Sequence, residues 1–259
     1  MTMIYSMMDV APTVSAVLGL SAPAQARGSS IAQVARDLAG RARMAVLAPD
    51  AFGWFAWTLW QDEMPYLKSL HAERSLILRS VMPSITPVNF SAMVTGTDLE
   101  GHGVPSKEDD FRCETLFDVV RRAGGQSAAV GLEGYTGSRL LARYADIDGT
   151  TAPGGDDLVA DKVIEIAQAQ APAFLIAQLG RVDDVFHQYG PSSPEVVPML
   201  RETDARLQRL CEALKDEGYG VIILADHGQH DIVDDPSTSM KGGHGQDRDE
   251  DRLVPCTWL

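Results

Sequence analysis

The sequence predicts an α/β fold, a three-layer α/β/α sandwich with a mostly parallel central sheet, and three observations carry that prediction. Apolar runs repeatedly stop at an acidic residue: MAVLAPD at Asp50, FLIAQLGRVD at Asp183 and VIILAD at Asp226. They do not alternate between apolar and polar residues, which is the pattern of strands buried on both faces. Helical stretches lie between them, giving a βαβ rhythm. The chain is 259 residues long, 45% hydrophobic and 22% charged, the proportions of a globular protein able to enclose an enzyme core in one domain.

In chain order, Val10, Val14, Val17 and Leu18 form one apolar face that ends at Gly19, with Asp9 as a candidate N-cap and Pro12 in the first turn. The strand that stops at Asp50 follows. Thr86-Pro87 opens a helix through Asn89, Ala92 and Met93, because the fixed φ of proline suits a first helical turn. Leu116, Val119 and Val120 mark another helix, stopped by Gly124-Gly125, and SAAVGL at 127–132 reads as a strand. GTTAPGGDD at 149–157 and QDRDEDR at 246–252 read as exposed loops. Between the strands ending at Asp183 and Asp226, Leu200, Leu207, Leu210 and Leu214 set a helix over Val197 to Glu217. No repeat or boundary divides the chain, so residues 1–259 are expected to form a single domain.

The balance of 22 Lys plus Arg against 36 Asp plus Glu gives a formal charge of −14. Such a chain repels polyanions, so no nucleic-acid polymer is expected as partner, and acidity beside a phosphate site points to metal cations. Cys113, Cys211 and Cys256 are odd in number and far apart, and read as reduced thiols. VSAVLGLSAPAQA resembles an export leader, but the first ten residues lack Lys and Arg and carry Asp9. No apolar run is long enough to span a membrane. The expectation is a cytoplasmic chain, with secretion or the periplasm as the alternative.

In open parallel sheets ligands bind beyond the carboxyl ends of the strands, so Asp50, Asp183 and Asp226 are expected at one edge. Asp183 and His187 are spaced i, i+4, which turns both to one side of a helical turn. His227 follows Asp226 directly, and His244 lies between glycines in KGGHG, where the backbone can bend into a crowded centre. Three carboxylates and three imidazoles without thiolate suit zinc, manganese or iron, and the carboxylates repel one another unless cations neutralise them. Thr86, at a helix start, lies where backbone N–H groups and the helix dipole favour an anion. It reads as a helix N-cap, as a metal-activated nucleophile, or as both. Asn89, one turn on, is placed to donate its amide to a phosphoryl oxygen.

The order Asp50, Thr86 in MPSITPVNFSAMVTG, His102 in GHGV, Asp183-x-x-x-His187 before Gly190-Pro191, Asp226-His227-Gly228 and His244-Gly245 resembles the alkaline phosphatase superfamily. Over residues 44–259 it is most similar to the type I phosphodiesterase/nucleotide pyrophosphatase branch. That resemblance implies two divalent metal ions, zinc or manganese. Asp50, Thr86, Asp226 and His227 would hold one, and Asp183, His187 and His244 the other. It further implies Thr86 as nucleophile through a phosphothreonine, with Asn89 and the Thr86 N–H stabilising the transferring phosphoryl group.

The chain departs from the pattern at Phe186, where relatives carry glycine before the histidine. It lacks the inserted cap of cofactor-independent phosphoglycerate mutases, and Cys113 in FRCETLF does not fit the sulfatase motif. The opening segment, MMDVAPTVSAVLGLSAPAQARG, resembles the element that follows the last metal histidine in this superfamily, whereas here RLVPCTWL ends the chain. A circular permutation is therefore expected, with residues 1–30 as the displaced element.

The leading expectation is a two-metal hydrolase acting on small phosphate esters as a phosphodiesterase. Phosphonoacetate hydrolase-like C–P cleavage and phosphomonoesterase activity are the enzymatic alternatives, and a metal-binding protein without turnover is the non-enzymatic one. A lysine-lined pocket would favour a phosphonate, and an aromatic slot, for which Phe52, Trp54 and Tyr135 are candidates, a nucleotide.

Overall fold

The computed structural model describes residues 3–233 and 235–259. Its strands are β1 (Ile4–Ser6), β2 (Arg43–Pro49), β3 (Leu76–Arg79), β4 (Ser127–Leu132), β5 (Ile147–Thr151), β6 (Phe174–Leu179), β7 (Tyr219–Leu224), β8 (His230–Asp231), β9 (Gly242–Gly243) and β10 (Leu253–Trp258). Eight of them form one sheet in the order β1-β3-β10-β7-β2-β6-β4-β5, and β8 and β9 make a separate hairpin. All pairings in the large sheet are parallel except those of β10, which runs against both its neighbours. β4, β6 and β7 are buried along their whole length, which is why their sequences read as near-continuous apolar runs. At the edge, β5 alternates buried and exposed residues.

The helix Val197–Asp216 packs on the helix Asp156–Ala169 and on β7, while Val10–Val17, Thr86–Thr95 and Leu116–Arg122 form a second packed group. The stretch that resembled a leader starts in the core, where Val14 and Val17 are buried along with Met7 and Ala11 just before it, and then runs out over the surface. Its continuation wraps the end of the helix Thr86–Thr95, with Arg27 N and Gly28 N both donating to Gly96 O. Asp9 differs from expectation. Its side chain makes no cap to the helix Val10–Val17 but accepts from Ser6 N and Ser29 N, tying the segments on either side together. Among the described residues no helix is long and apolar enough to cross a membrane. All three cysteines are free thiols.

Two segments expected as solvated loops are partly interior. Asp251, within QDRDEDR, is fully buried and accepts from Gln246 N while facing His230 Nδ1 at 2.6 Å. Asp156, at the end of GTTAPGGDD, is buried and accepts from Gly180 N and Arg181 N, the start of the helix Arg181–Tyr189. Composition marked both as polar, but each acid has found backbone donors brought close by the fold.

Candidate metal centre and active site

Because β7, β2 and β6 are neighbours and parallel, their carboxyl ends lie side by side, about 4.8 Å apart. Asp226 and Asp50 stand just beyond β7 and β2. Asp183 is not at a strand end as the run FLIAQLGRVD suggested: β6 stops at Leu179 and Asp183 lies in the first turn of the following helix. That helix is unbroken through Phe186, which is buried with its ring 6.5 Å from that of Phe52, and it carries Asp183 and His187 on one face. Gly228, beside the Asp226-His227 pair, allows a close crossing: a Cβ there would meet Glu250 O at 2.2 Å and Gly53 Cα at 3.0 Å.

The expected ligands fall into two groups, each with its ligand atoms within 4.8 Å of one another: Asp50, Asp226 and His227, all buried, and Asp183, His187 and His244, half-buried. Each histidine turns Nδ1 to a backbone carbonyl, His187 to Gly242 O at 2.9 Å, His227 to Gly228 O at 3.1 Å and His244 to Ser84 O at 3.2 Å. This keeps a proton on Nδ1 and turns Nε2 inward, the usual arrangement of a metal-ligating imidazole; without a cation His187 holds a second proton on Nε2, facing Asp183 Oδ1 at 3.4 Å, which a bound cation would displace. His227 Nε2 lies 3.3 Å from Asp226 Oδ2 and 3.6 Å from Asp50 Oδ1, and His244 Nε2 lies 3.7 Å from Asp183 Oδ1. Asp226 Oδ2 is buried with no hydrogen-bond partner among the described residues. Inward-facing acceptors with one orphaned carboxylate oxygen are a donor set that fits divalent cations.

The electrostatics agree. Burial, and then the charges of Asp226 and Asp183, push the Asp50 carboxyl well above the usual carboxylate range. Burial also opposes ionisation of Asp183, but the hydrogen bond from His187 and the surrounding imidazoles outweigh it and hold this carboxyl low. His187 is raised by its hydrogen bond to Asp183. Burial, then the charge of His227, depress His244 to about 3, so its imidazole is neutral.

Thr86 is the first residue of the helix Thr86–Thr95, not its N-cap; Ile85 holds that place and makes no side-chain cap. The hydroxyl is thereby left for the site, with Oγ1 3.1 Å from His227 Nε2 and 3.5 Å from Asp50 Oδ1. A cavity of about 350 Å³ opens in front of it, lined by Asp50, Thr86 and Asp183 together with Lys107, Tyr135 and Gln178 among others.

The expectation for Asn89 is corrected. Its side chain is fully buried; Oδ1 accepts from Val81 N at 2.8 Å, and Nδ2 faces the carbonyls of Val81, Pro83 and Ile85. The amide is spent on holding the loop that leads into Thr86 and does not line the cavity. Of the aromatic candidates only Tyr135 lines it. Phe52 is buried against Trp57 and Phe186, and Trp54 starts the helix Trp54–Trp60 away from the cavity wall.

Sequence reasoning missed Lys107 and Gln178. Lys107 carried no local signal. Gln178 carried one, as the single polar side chain within the otherwise apolar FLIAQL strand.

The profile of the family "Type I phosphodiesterase / nucleotide pyrophosphatase" matches residues 44–112 and 133–247. Venom phosphodiesterase 2 of Crotalus adamanteus is 35% identical over 208 residues, covering 67% of this chain and 25% of that protein. The chain therefore spans about a quarter of the length of the curated relatives of this kind that it matches. Among solved structures, murine ectonucleotide pyrophosphatase / phosphodiesterase 5 in complex with AMP aligns with a TM-score of 0.60 at 18% identity, covering 74% of this chain and 58% of that one. Phosphonoacetate hydrolase from Sinorhizobium meliloti 1021 in complex with phosphonoacetate aligns with a TM-score of 0.57 at 21% identity, covering 73% and 57%. At these identities the structural likeness speaks for the fold.

Proposed function

Since this chain belongs to the type I phosphodiesterase/nucleotide pyrophosphatase family of the alkaline phosphatase superfamily, we propose that it is a two-cation phosphodiesterase that uses Thr86 as nucleophile. The observation that carries the reading is the position of the Thr86 hydroxyl: at a helix start, on the cavity, and within 3.5 Å of a carboxylate and an imidazole of one ligand group. Asp50, Thr86, Asp226 and His227 would hold one divalent cation and Asp183, His187 and His244 the other, zinc or manganese. Bound there, the pair supplies Lewis-acid stabilisation to the attacking and leaving oxygens of an in-line displacement.

The chain's own groups account for the rest. Oγ1 of Thr86, its proton lost to solvent because His227 Nε2 and Asp50 Oδ1 beside it would be taken up by a cation, attacks phosphorus as the bond to the leaving alkoxide breaks on the opposite side. The product is a phosphothreonine that keeps the substrate's second ester group, and water attacking from the side the alkoxide vacated frees Thr86 and releases a phosphomonoester. The N-terminus of the helix Thr86–Thr95 offers the Thr86 N–H and the positive end of its dipole to the nonbridging oxygens. Asn89 serves by fixing the approach loop. The test is turnover of bis(4-nitrophenyl) phosphate by protein supplied with zinc or manganese. Bound cation without hydrolysis of mono-, di- or phosphonate esters would leave only a metal-binding role.

One observation favours the phosphonate alternative. Lys107 lines the cavity with Nζ 2.6 Å from Gly134 O, and among the described residues no carboxylate lies within 4.0 Å of it. A lysine there suits a second anionic group on the substrate. On that reading Lys107→Met raises KM about 10-fold or more for phosphonoacetate, as expected for losing one charged hydrogen bond, and leaves KM for the singly charged diester within about twofold. Equal effects on both substrates reject it.

We also propose that residues 1–30 are the family's terminal element, displaced to the front by circular permutation. β1 and β10 flank β3, with Ile77 pairing Ile4 on one side and Pro255 on the other, so β1 starts at the end of the sheet where β10 finishes. Two strand spacings, about 10 Å, separate them, a gap that about six linker residues cross easily. A chain rebuilt with residues 1–30 after residue 259 should fold with its melting temperature within a few degrees of the original; an unfolded product rejects the permutation.

A further inference from the structure

We propose that Gln178 is the positioning residue of the Asp50 half-site, fixing which carboxylate oxygen of Asp50 is offered to a cation; the inference rests on the cation-binding reading above. Gln178 lies on β6, paired with Ala48 of β2 two residues before Asp50, and is only 2% exposed. Both ends of its amide are engaged. Nε2 donates to Asp50 Oδ2 at 2.5 Å, and Oε1 accepts from Gly137 N at 2.6 Å. The other oxygen of Asp50, Oδ1, is the one near Thr86 Oγ1 and His227 Nε2. The two oxygens are therefore divided, one held by the amide and one facing the nucleophile.

The chemistry of this position calls for an amide. A carboxylate at 178 would set a further negative acceptor against Asp50, where Asp226 and Asp183 already oppose ionisation. A lysine would donate but would also compete with a bound cation for Asp50. Glutamine is neutral, and it is a donor on one side and an acceptor on the other. Gly137, its second partner, belongs to the helical turn Thr136–Arg139, and Gly134, Tyr135 and Thr136 beside it line the cavity. A Cβ at 137 would meet Gln178 Cβ at 3.2 Å and Val130 O at 2.9 Å, so glycine is what admits this contact. One buried amide thus joins the cavity wall to a metal-ligating carboxylate.

The experiment titrates zinc or manganese into cation-stripped protein at pH 8 by calorimetry, comparing the unsubstituted chain with Gln178→Glu and Gln178→Met. The glutamate keeps an oxygen for Gly137 N but removes the donor to Asp50; the methionine removes both. The unsubstituted chain is expected to take two equivalents. In both variants one equivalent weakens about 10- to 100-fold, the usual effect of losing an outer partner of a ligand, and the other stays within about twofold. kcat falls in step and recovers as cation concentration is raised, which a packing defect would not do. Unchanged affinity in Gln178→Glu overturns the proposal, since Gln178 then acts only through Gly137, and this arm stands even if Gln178→Met fails to fold. Absence of cation binding in the unsubstituted chain overturns the functional reading itself and this proposal with it.

Discussion

Thr86→Ala is expected to lower kcat for a nitrophenyl phosphodiester by at least about a thousandfold while both cations remain bound. On the proposed mechanism Oγ1 is the atom that bonds phosphorus, and among the described residues nothing else on the cavity wall holds a hydroxyl at the start of the Thr86–Thr95 helix between Asp50 and His227. Structurally the change is mild. Thr86 caps nothing, alanine is a good helix former, and the lost hydrogen bond is worth about 1 kcal/mol. Thr86→Ser keeps the oxygen and should keep most of the activity. The measurement is steady-state turnover beside metal content of the same preparation. Full activity in the alanine variant with both cations bound rules out covalent catalysis through Thr86.

The largest effect on stability should come from the cations, and its sign should depend on Asp50. In cation-free protein the folded-state pKa of Asp50 is raised, by burial first and then by Asp226 and Asp183. The stability this group contributes is present below its unfolded pKa and is lost as pH rises through the folded one. Asp50→Asn should therefore melt a few degrees above the unsubstituted protein at pH 8 without cation, and the gap should close toward pH 4. The neutral state of His244 works the other way, costing stability as pH falls from its ordinary pKa of 6.5 toward about 3, but it is common to both proteins and largely cancels in the difference.

Zinc should reverse the order. At a thousandfold excess over Kd a native-state ligand contributes about 4 kcal/mol, on the order of 10 °C for a domain of this size. The asparagine variant, lacking one carboxylate ligand, should gain less. Thermal melts at several pH values, with chelator and with zinc, read both signs. A variant less stable than the unsubstituted protein at pH 8 in chelator would show that the carboxylates are neutralised by other means.

Much of the site was legible because it is written in local terms. Asp183 and His187 share a helix face by i, i+4 spacing, Asp226 and His227 are adjacent, and glycines flank His244. Such relations survive any tertiary detail. Asn89 shows the limit. Its place one turn after Thr86 was correctly read, but the use of its amide depends on Val81, Pro83 and Ile85, which the loop folds back over it. Asp251 shows the same limit from the other side: in sequence it is one of several acids in a solvated-looking run, yet it alone of that helical turn is buried, because His230 and Gln246 N arrive to meet it.

The sequence by itself determined the α/β architecture, the acidic and histidine side chains that gather into two groups, and the helix that presents Thr86, since strand burial and helical spacing are properties of short stretches of backbone. Tertiary structure alone decided which oxygen of Asp50 faces the nucleophile, that Lys107 and Tyr135 share the cavity while Phe52 does not, and that Gln178 reaches across to Asp50. Gln178 and Asp50 are 128 positions apart, and the direction of a buried hydrogen bond is set by whichever partner the packed fold brings within about 3 Å.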